Sequence, residues 1–165
     1  MARTFFKKVL VAVNGHKSSI HTAMYAIMMA RIYNLSLKIV YVVDSATIKY
    51  LEMNNLLLSE EKTTFMNQLT QDGVNILSYV EGLARSKGVR IESELLSGGV
   101  FTEIIKAAES FNADLILLGG NESADNKKGL KKSMLSRDQN EILANAPCPV
   151  LIVQKPNIEA EFKIF

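Results

Sequence analysis

Three short stretches of this 165-residue chain carry groups that could hold an anion. Asn14 follows one apolar run, Gly119 and Gly120 end another, and Ser136 and Arg137 precede a helical segment near the C-terminus. Adjacent glycines let backbone N–H groups approach a phosphate closely, and a helix N-terminus favours negative charge. The same residues also fit plainer roles, namely an Asn-Gly turn, a strand-ending turn, a helix cap and a solvated arginine.

Residues suited to nucleophilic or metal chemistry are few. Cys148 is the single cysteine, so it forms neither an intramolecular disulfide nor, alone, a zinc site, and no basic neighbour activates it. His16 and His21 are five residues apart and do not share a helix face well. No Ser/His/Asp set or shaped carboxylate pair can be argued from the rest. We therefore expect no catalytic residue, no metal site and no enzymatic activity.

Composition and length place the chain among ordinary globular proteins. A chain of 165 residues with 48% hydrophobic and 22% charged residues predicts one domain with a sizeable core. A net charge of +2 gives no reason to expect a nucleic-acid partner. The apolar run before Asn14 has only five residues, too few for a signal peptide or a membrane span. We expect no membrane contact and a cytoplasmic location.

Strand and helix patterns alternate along the chain. Short apolar runs predict strands at residues 9–13, 35–43, 89–96, 114–120 and 149–153. Helical spacing and end signals predict helices at about 18–34, 59–87, 101–111 and 133–144. Residues 45–58 are interpreted as a long connection with at most a helical turn, and 121–132 as a polar loop. The tail, 155–165, is partly charged but ends in Phe162, Ile164 and Phe165.

The spacing of apolar residues predicts which helix faces are buried. In the first helix the inward positions are Ala23, Ala26, Ile27, Ala30 and Ile32. In the second they are Phe65, Leu69, Val74, Leu77, Val80, Leu83 and Ala84. Gly73 lies inside this helix, where glycine weakens the helical pattern.

Alternating strands and helices favour a parallel, doubly wound α/β sheet with helices on both faces. Ligands of such sheets bind beyond the carboxyl ends of the strands, where the winding reverses. The segments beginning at Asn14, Val42 and Gly119 follow strands one, two and four. Any site should therefore lie among them.

At these points the chain resembles the universal stress protein family. The matching stretches are residues 9–14, 41–44, 103–108, 113–119 and 146–153, among them an Ala-Asp-apolar-Gly strand and a Cys-Pro-Val ending. The resemblance extends from about residue 7 to 154 and lies in the joint order and spacing of the pieces. It implies the strand order 3-2-1-4-5 and a homodimer that pairs through the last strand.

The family includes ATP-binding members that carry Gly-x-x-Gly, nine residues, then Gly-Ser/Thr. Gly119 matches the first glycine, Glu122 stands at the second, and Ser136 with Arg137 stands at the final pair. The segment between them is about four residues longer than the motif, and Asn14 replaces an acidic residue. The resemblance implies a modified cleft for ATP or another adenine nucleotide, with Mg. Its expected residues are Ala12, Val13, Asn14, Val42, Gly119, Gly120, Asn121, Ser136 and Arg137.

The function expected from this resemblance is a dimeric stress-response module with an adenine-nucleotide cleft. The alternative is a nucleotide-independent module that binds an unknown protein partner, because the Glu122 carboxylate would repel a phosphate. A third hypothesis, weak hydrolysis of ATP, has the least support, because no general base can be identified. Lysines 127, 128, 131 and 132 either supply charge to the cleft or are solvated. The domain is predicted at 1–154, and the tail at 155–165 either packs across a dimer or is an exposed end.

Overall fold

The computed structural model describes residues 5–120 and 135–165. Within them a parallel five-stranded sheet has the order β3-β2-β1-β4-β5. The strands are β1 (Lys8–Val13), β2 (Ser36–Val43), β3 (Ile91–Ser97), β4 (Leu115–Gly119) and β5 (Val150–Val153). The helices are α1 (Lys17–Tyr33), α2 (Ser45–Met53), α3 (Ser59–Ser86), α4 (Val100–Phe111), α5 (Arg137–Asn145) and α6 (Ile158–Ile164). The predicted α/β class and strand order are confirmed.

Both faces of the sheet are buried, which explains the continuous apolar strands. Because side chains alternate along a strand, Val9, Val11 and Val13 of β1 join one core cluster, with residues of α1, α3 and α6. Leu10 points to the other face and joins a second cluster, with residues of α4 and α5. Helices on each face therefore hold the carboxyl ends of β1 and β4 in fixed positions.

Asp114 anchors the start of β4 to the start of β1. Its carboxylate accepts the backbone N–H groups of Lys7 and Lys8, each at 2.9 Å. The N–H of Asp114 donates in turn to the Lys8 carbonyl at 2.7 Å. The bonds from the Lys8 and Lys7 amides hold the pKa of Asp114 below its ordinary value, because they favour the charged carboxylate.

The connection predicted at residues 45–58 is wrong in part, since α2 is a helix of nine residues. Asp44 begins it: its carboxylate accepts the Thr47 N–H at 3.1 Å and the Thr47 hydroxyl at 2.7 Å. This is an N-cap, and it satisfies amides that the helix leaves unpaired. The end of β2 and the start of α2 share Asp44, so the sequence contains no separate turn signal between them.

Three apolar residues predicted to point inward are exposed. The exposed fractions are 61% for Ile32, 53% for Phe65 and 44% for Val74. In α3 the predicted positions Leu77, Val80 and Ala84 are buried, and Gly73 lies on the same face. A Cβ on Gly73 would lie 2.7 Å from the Tyr41 ring, so the glycine allows the helix to approach the sheet along a line that leaves Val74 outside.

The C-terminal residues form α6, which packs on α1. Ile158 and Phe162 are almost fully buried in the core cluster that includes α1. The ammonium of Lys87 lies 4.8 Å from the centroid of the Phe162 ring. The expectation that Phe162 packs across a dimer or is an exposed end is therefore wrong, because it completes the core of its own chain. Across residues 5–120 and 135–165, no helix combines the length and apolar character that crossing a membrane requires.

Candidate functional site

A cleft of about 410 Å³ opens at the carboxyl edge of the sheet, where the ends of β1 and β4 lie side by side. This is the point at which the chain winds away in opposite directions, and it is where doubly wound sheets bind ligands. The residues that line it are Ala12, Val13, Asn14, His16, Ser18, Val42, Val100, Ile104, Leu118, Gly119, Gly120, Ser136, Asp138, Gln139 and Ile142. The volume lies within the range of small-molecule sites.

The turn after β1 forms one rim of the cleft. The Asn14 side-chain oxygen accepts the His16 N–H at 3.1 Å, and the Asn14 N–H donates to the Ser19 hydroxyl at 3.2 Å. The Ser19 hydroxyl donates to the His16 carbonyl at 2.8 Å, and Gly15 supplies the left-handed backbone, at φ 84°. The turn role of Asn14 is confirmed, and this network leads the chain directly into the first turn of α1.

Packing restricts the end of β4, where Gly119 is the last strand residue and Gly120 follows it. A Cβ on Gly119 would lie 3.0 Å from the carbonyl atoms of Ser18, so α1 rests directly on the backbone of β4. A Cβ on Gly120 would overlap the Gln154 side chain. The Gly120 N–H donates to the Val153 carbonyl at 3.1 Å. The close approach of the Ser18 backbone therefore accounts for Gly119, whereas the exposed Gln154 side chain can move away from a Cβ at Gly120.

The start of α5 closes the opposite rim with a capping box. The Ser136 hydroxyl accepts the Gln139 N–H at 3.1 Å, and the Gln139 side chain accepts the Ser136 N–H at 2.9 Å. The side-chain amide of Gln139 also donates to the Gly119 carbonyl at 2.6 Å. The cap role of Ser136 is confirmed, and Gln139 ties the helix start to the end of β4.

The cleft has an apolar side and a polar side. Val42, Val100, Ile104, Leu118 and Ile142 form the apolar side, which suits a flat apolar group. Asp138, in the first turn of α5, is the one Asp, Glu, Lys or Arg among the lining residues that the structure describes. A carboxylate here repels a phosphate, whereas the N-terminus of α5 attracts one.

The structure brings seven of the nine predicted site residues into this cleft. They are Ala12, Val13, Asn14, Val42, Gly119, Gly120 and Ser136. Arg137 is exposed and does not line it. Asn121, Glu122 and the four lysines lie outside the described residues.

Sequence reasoning missed the residues that α4 and the rest of α5 contribute. Val100 and Ile104 reach the cleft from α4, the crossover helix after β3. A prediction based on the carboxyl ends of strands does not find residues on such a helix. Gln139 could have been predicted from the sequence, because Ser-x-x-Gln before an apolar residue is a capping pattern.

Two further observations concern metal-binding groups and the cysteine. Among residues 5–120 and 135–165 no cluster of three His, Cys, Asp or Glu side chains could hold a metal ion. Cys148 is half-buried, and its burial, with a smaller effect of Asp114, raises the pKa of the thiol. A raised pKa keeps the sulfur protonated and weakly reactive.

The fold and the position of the cleft define a doubly wound α/β protein with a switch-point site. The model of the universal stress protein family matches residues 5–154, and the chain belongs to this family. A universal stress protein of Methanocaldococcus jannaschii is 32% identical over 156 residues, which cover 93% of this chain and 85% of that protein. One from Bacillus subtilis is 27% identical over 151 residues, which cover 90% and 99%.

Solved structures share the fold at lower identity. A hypothetical protein, MJ0577, superposes with a TM-score of 0.71 at 20% identity, over 93% of this chain and 99% of that one. A family member from Arabidopsis thaliana, solved with AMP bound, gives 0.63 at 16% identity, over 93% and 94%. A universal stress protein in complex with cAMP gives 0.59 at 20% identity, over 90% and 97%.

Proposed function

We propose that this protein is a non-catalytic, cytoplasmic stress-response module that binds an adenine nucleotide, with or without Mg, in the cleft between β1 and β4. The observation that carries the proposal is the cleft itself, open at the switch point and lined by seven residues expected from the family resemblance. Its apolar side suits a nucleobase, and the start of α5 suits a phosphate. AMP and cAMP are bound by the relatives whose structures were solved with them.

The direct test is isothermal titration of the purified protein with adenosine, AMP and ATP, the last two with and without Mg. A heat of binding that reaches saturation with at least one of these ligands would support the proposal. Absence of heat with all of them would refute it. Phosphate release from ATP above background would refute the non-catalytic part alone.

A blocking variant should be placed on the apolar side of the cleft. Gly119→Asp is a poor choice, because any side chain there would meet the backbone of α1. Val42 is half-buried and lines the cleft, so Val42→Phe adds a ring to the space that a base would occupy. We expect at least a tenfold loss of nucleotide affinity with the fold retained, which circular dichroism would check. Unchanged affinity would place the ligand elsewhere.

Asp138 gives a test of ligand orientation. If phosphate lies at the start of α5, Asp138→Asn removes a nearby repulsion and should raise AMP affinity about three- to tenfold, leaving adenosine unchanged. Glu141→Gln is the matched control, since it removes the same charge from α5 outside the cleft lining. Equal effects of the two variants on AMP would contradict this orientation.

A second candidate function is nucleotide-independent binding of a protein partner. The observation that favours it is Asp138, a carboxylate at the helix start where a phosphate would lie. In that case titration gives no heat, and Val42→Phe leaves the biological role intact.

We also propose a homodimer through β5. β5 is an edge of the sheet, and the exposed fraction of Leu151 within it is 38%. Unpaired edge strands readily pair with another chain. Sedimentation should show a dimer that Leu151→Asp dissociates. A monomer at all concentrations would refute the pairing.

A further inference from the structure

The outer face of α3 carries an unusual stripe of residues. Between Thr63 and Val80 the helix has one charged residue, Asp72, although charged residues make up 22% of the chain. Along the face opposite the core, exposed residues recur at alternating intervals of three and four, which is the spacing of a helix–helix seam. We call them the α3 stripe: Glu61, Thr64, Gln68, Gln71, Asn75, Ser78, Gly82 and Arg85.

The α3 stripe is symmetric about Gly73. Each stripe residue before the glycine has a counterpart at the same distance after it. The pairs are Glu61 with Arg85, Thr64 with Gly82, Gln68 with Ser78, and Gln71 with Asn75. In an antiparallel pair of identical helices centred at Gly73, these are the residues that face each other.

Charge on the stripe fits such a pair. The one acidic stripe residue, Glu61, and the one basic one, Arg85, stand at opposite ends, so reversing the second helix brings opposite charges together twice. Arg85 makes no ion pair within residues 5–120 and 135–165, and Glu61 uses one oxygen to cap the Leu58 N–H at 2.9 Å. The six stripe residues between Glu61 and Arg85 are uncharged, so they do not select an acidic or a basic partner.

We propose that two copies of this protein pair through the α3 stripe, as antiparallel helices related by a two-fold axis that passes between the two stripes at the level of Gly73. The stripe runs over 25 residues, from Glu61 to Arg85, which is about 36 Å along the helix. Phe65, Val74 and Tyr79 flank it and are about half exposed, which adds apolar contact. Gln71 and Asn75 already hydrogen-bond within one helix at 2.9 Å, so re-pairing across the seam gains little. The association is therefore weak, as in transient complexes with small interfaces.

This pairing is independent of the cleft and distinct from β5. The stripe lies on α3, a helix that contacts β2, β3, α1 and α2. If β5 also pairs, the α3 stripe joins dimers into larger assemblies, because each chain then has two different two-fold surfaces. The stripe is therefore tested in the Leu151→Asp background as well as in the unmodified protein.

Two double variants of the stripe centre test the charge prediction. Gln71→Glu with Asn75→Glu places like charges opposite each other, and we expect the association constant to fall at least tenfold. Gln71→Glu with Asn75→Lys places opposite charges across the seam, and we expect association at or above the unmodified level. Both pairs of changes are on exposed helical positions, and thermal melting confirms folding. Equal association of the two variants in sedimentation equilibrium would overturn the proposal.

Cross-linking tests the register. In a Cys148→Ser background, Thr64→Cys protein mixed with Gly82→Cys protein should form a disulfide-linked heterodimer under mild oxidation. Either protein alone should not, because its two cysteines would lie about 27 Å apart along the seam. A disulfide needs Cα atoms within about 7 Å. Equal cross-linking in all three samples, or none in the mixture, would refute the antiparallel pair.

Discussion

Two glycines in α3 should respond oppositely to the same substitution. Gly73 faces the sheet, where a Cβ would lie 2.5 Å from a Leu95 methyl and 2.7 Å from the Tyr41 ring. Gly82 lies in the same helix, and a Cβ there would meet no atom within 4 Å. The Leu95 methyl can move aside, but the Tyr41 ring is buried and cannot. Gly73→Ala and Gly82→Ala therefore differ in packing alone.

The magnitude follows from two effects. Replacing glycine by alanine inside a helix stabilises it by about 0.8–1.0 kcal/mol, and this gain is common to both variants. Overpacking a dense core costs about 1–3 kcal/mol, and only Gly73→Ala incurs it. The free energy of unfolding of Gly82→Ala should thus exceed that of Gly73→Ala by about 1–3 kcal/mol.

Urea unfolding of both variants measures this difference. The midpoints should separate while the slopes stay equal, because both variants expose the same surface on unfolding. The measurements are made at low protein concentration, because Gly82 belongs to the α3 stripe and association through the stripe would change the measured stability. If Gly73→Ala proved as stable as Gly82→Ala, the close packing of α3 on Tyr41 would be refuted.

Three further predictions concern the termini of elements. Phe162→Ala should lower stability by about 3–5 kcal/mol in thermal or urea unfolding, because the ring is buried, whereas Ile164→Ala should have almost no effect. Asp114 has a lowered pKa in the folded chain, so its stabilisation is present above the unfolded-state value and is lost as pH falls through the folded one. In the Asp114→Asn variant, the free energy of unfolding should therefore decrease less at acid pH than it does in the unmodified protein. An equal decrease in both proteins would contradict this. Ser136→Ala should cost about 1 kcal/mol through the lost α5 cap, measured by the same unfolding curves. Ser110→Ala is the control, because Ser110 is an exposed serine inside α4 and caps no helix.

The sheet could be predicted because strands that are buried on both faces are apolar at successive positions. Residues 9–13 and 115–118 are apolar without alternation, which only a strand covered on both faces requires. The strand order came from the family resemblance and is confirmed by the pairing of β1 with both β2 and β4. The helix faces were less predictable, because Gly73 shifted the contact line of α3 and exposed Phe65 and Val74.

The candidate site was predictable to the extent that it consists of strand ends. Asn14 directly follows β1, and Val42 and Gly119 lie at the carboxyl ends of β2 and β4, whose neighbours are fixed by the topology. Val100 and Ile104 were missed, because a crossover helix brings them to the cleft across the sheet rather than along a strand. The burial of Phe162 was missed for a related reason: nothing in the eleven tail residues indicates which helix they cover.

The packing of α6 on α1 has a consequence for experiments on shortened proteins. The family model ends at residue 154, yet Ile158 and Phe162 support the helix whose first turn borders the cleft. His21 of α1 lies 3.8 Å from Glu159 of α6, so the two helices also meet through polar groups. A truncated protein that ends at residue 154 would expose this side of α1 to solvent and would lose the contacts that hold the helix in place. Ligand affinities measured with the truncated protein would therefore describe a cleft whose α1 side has changed, and not the native cleft.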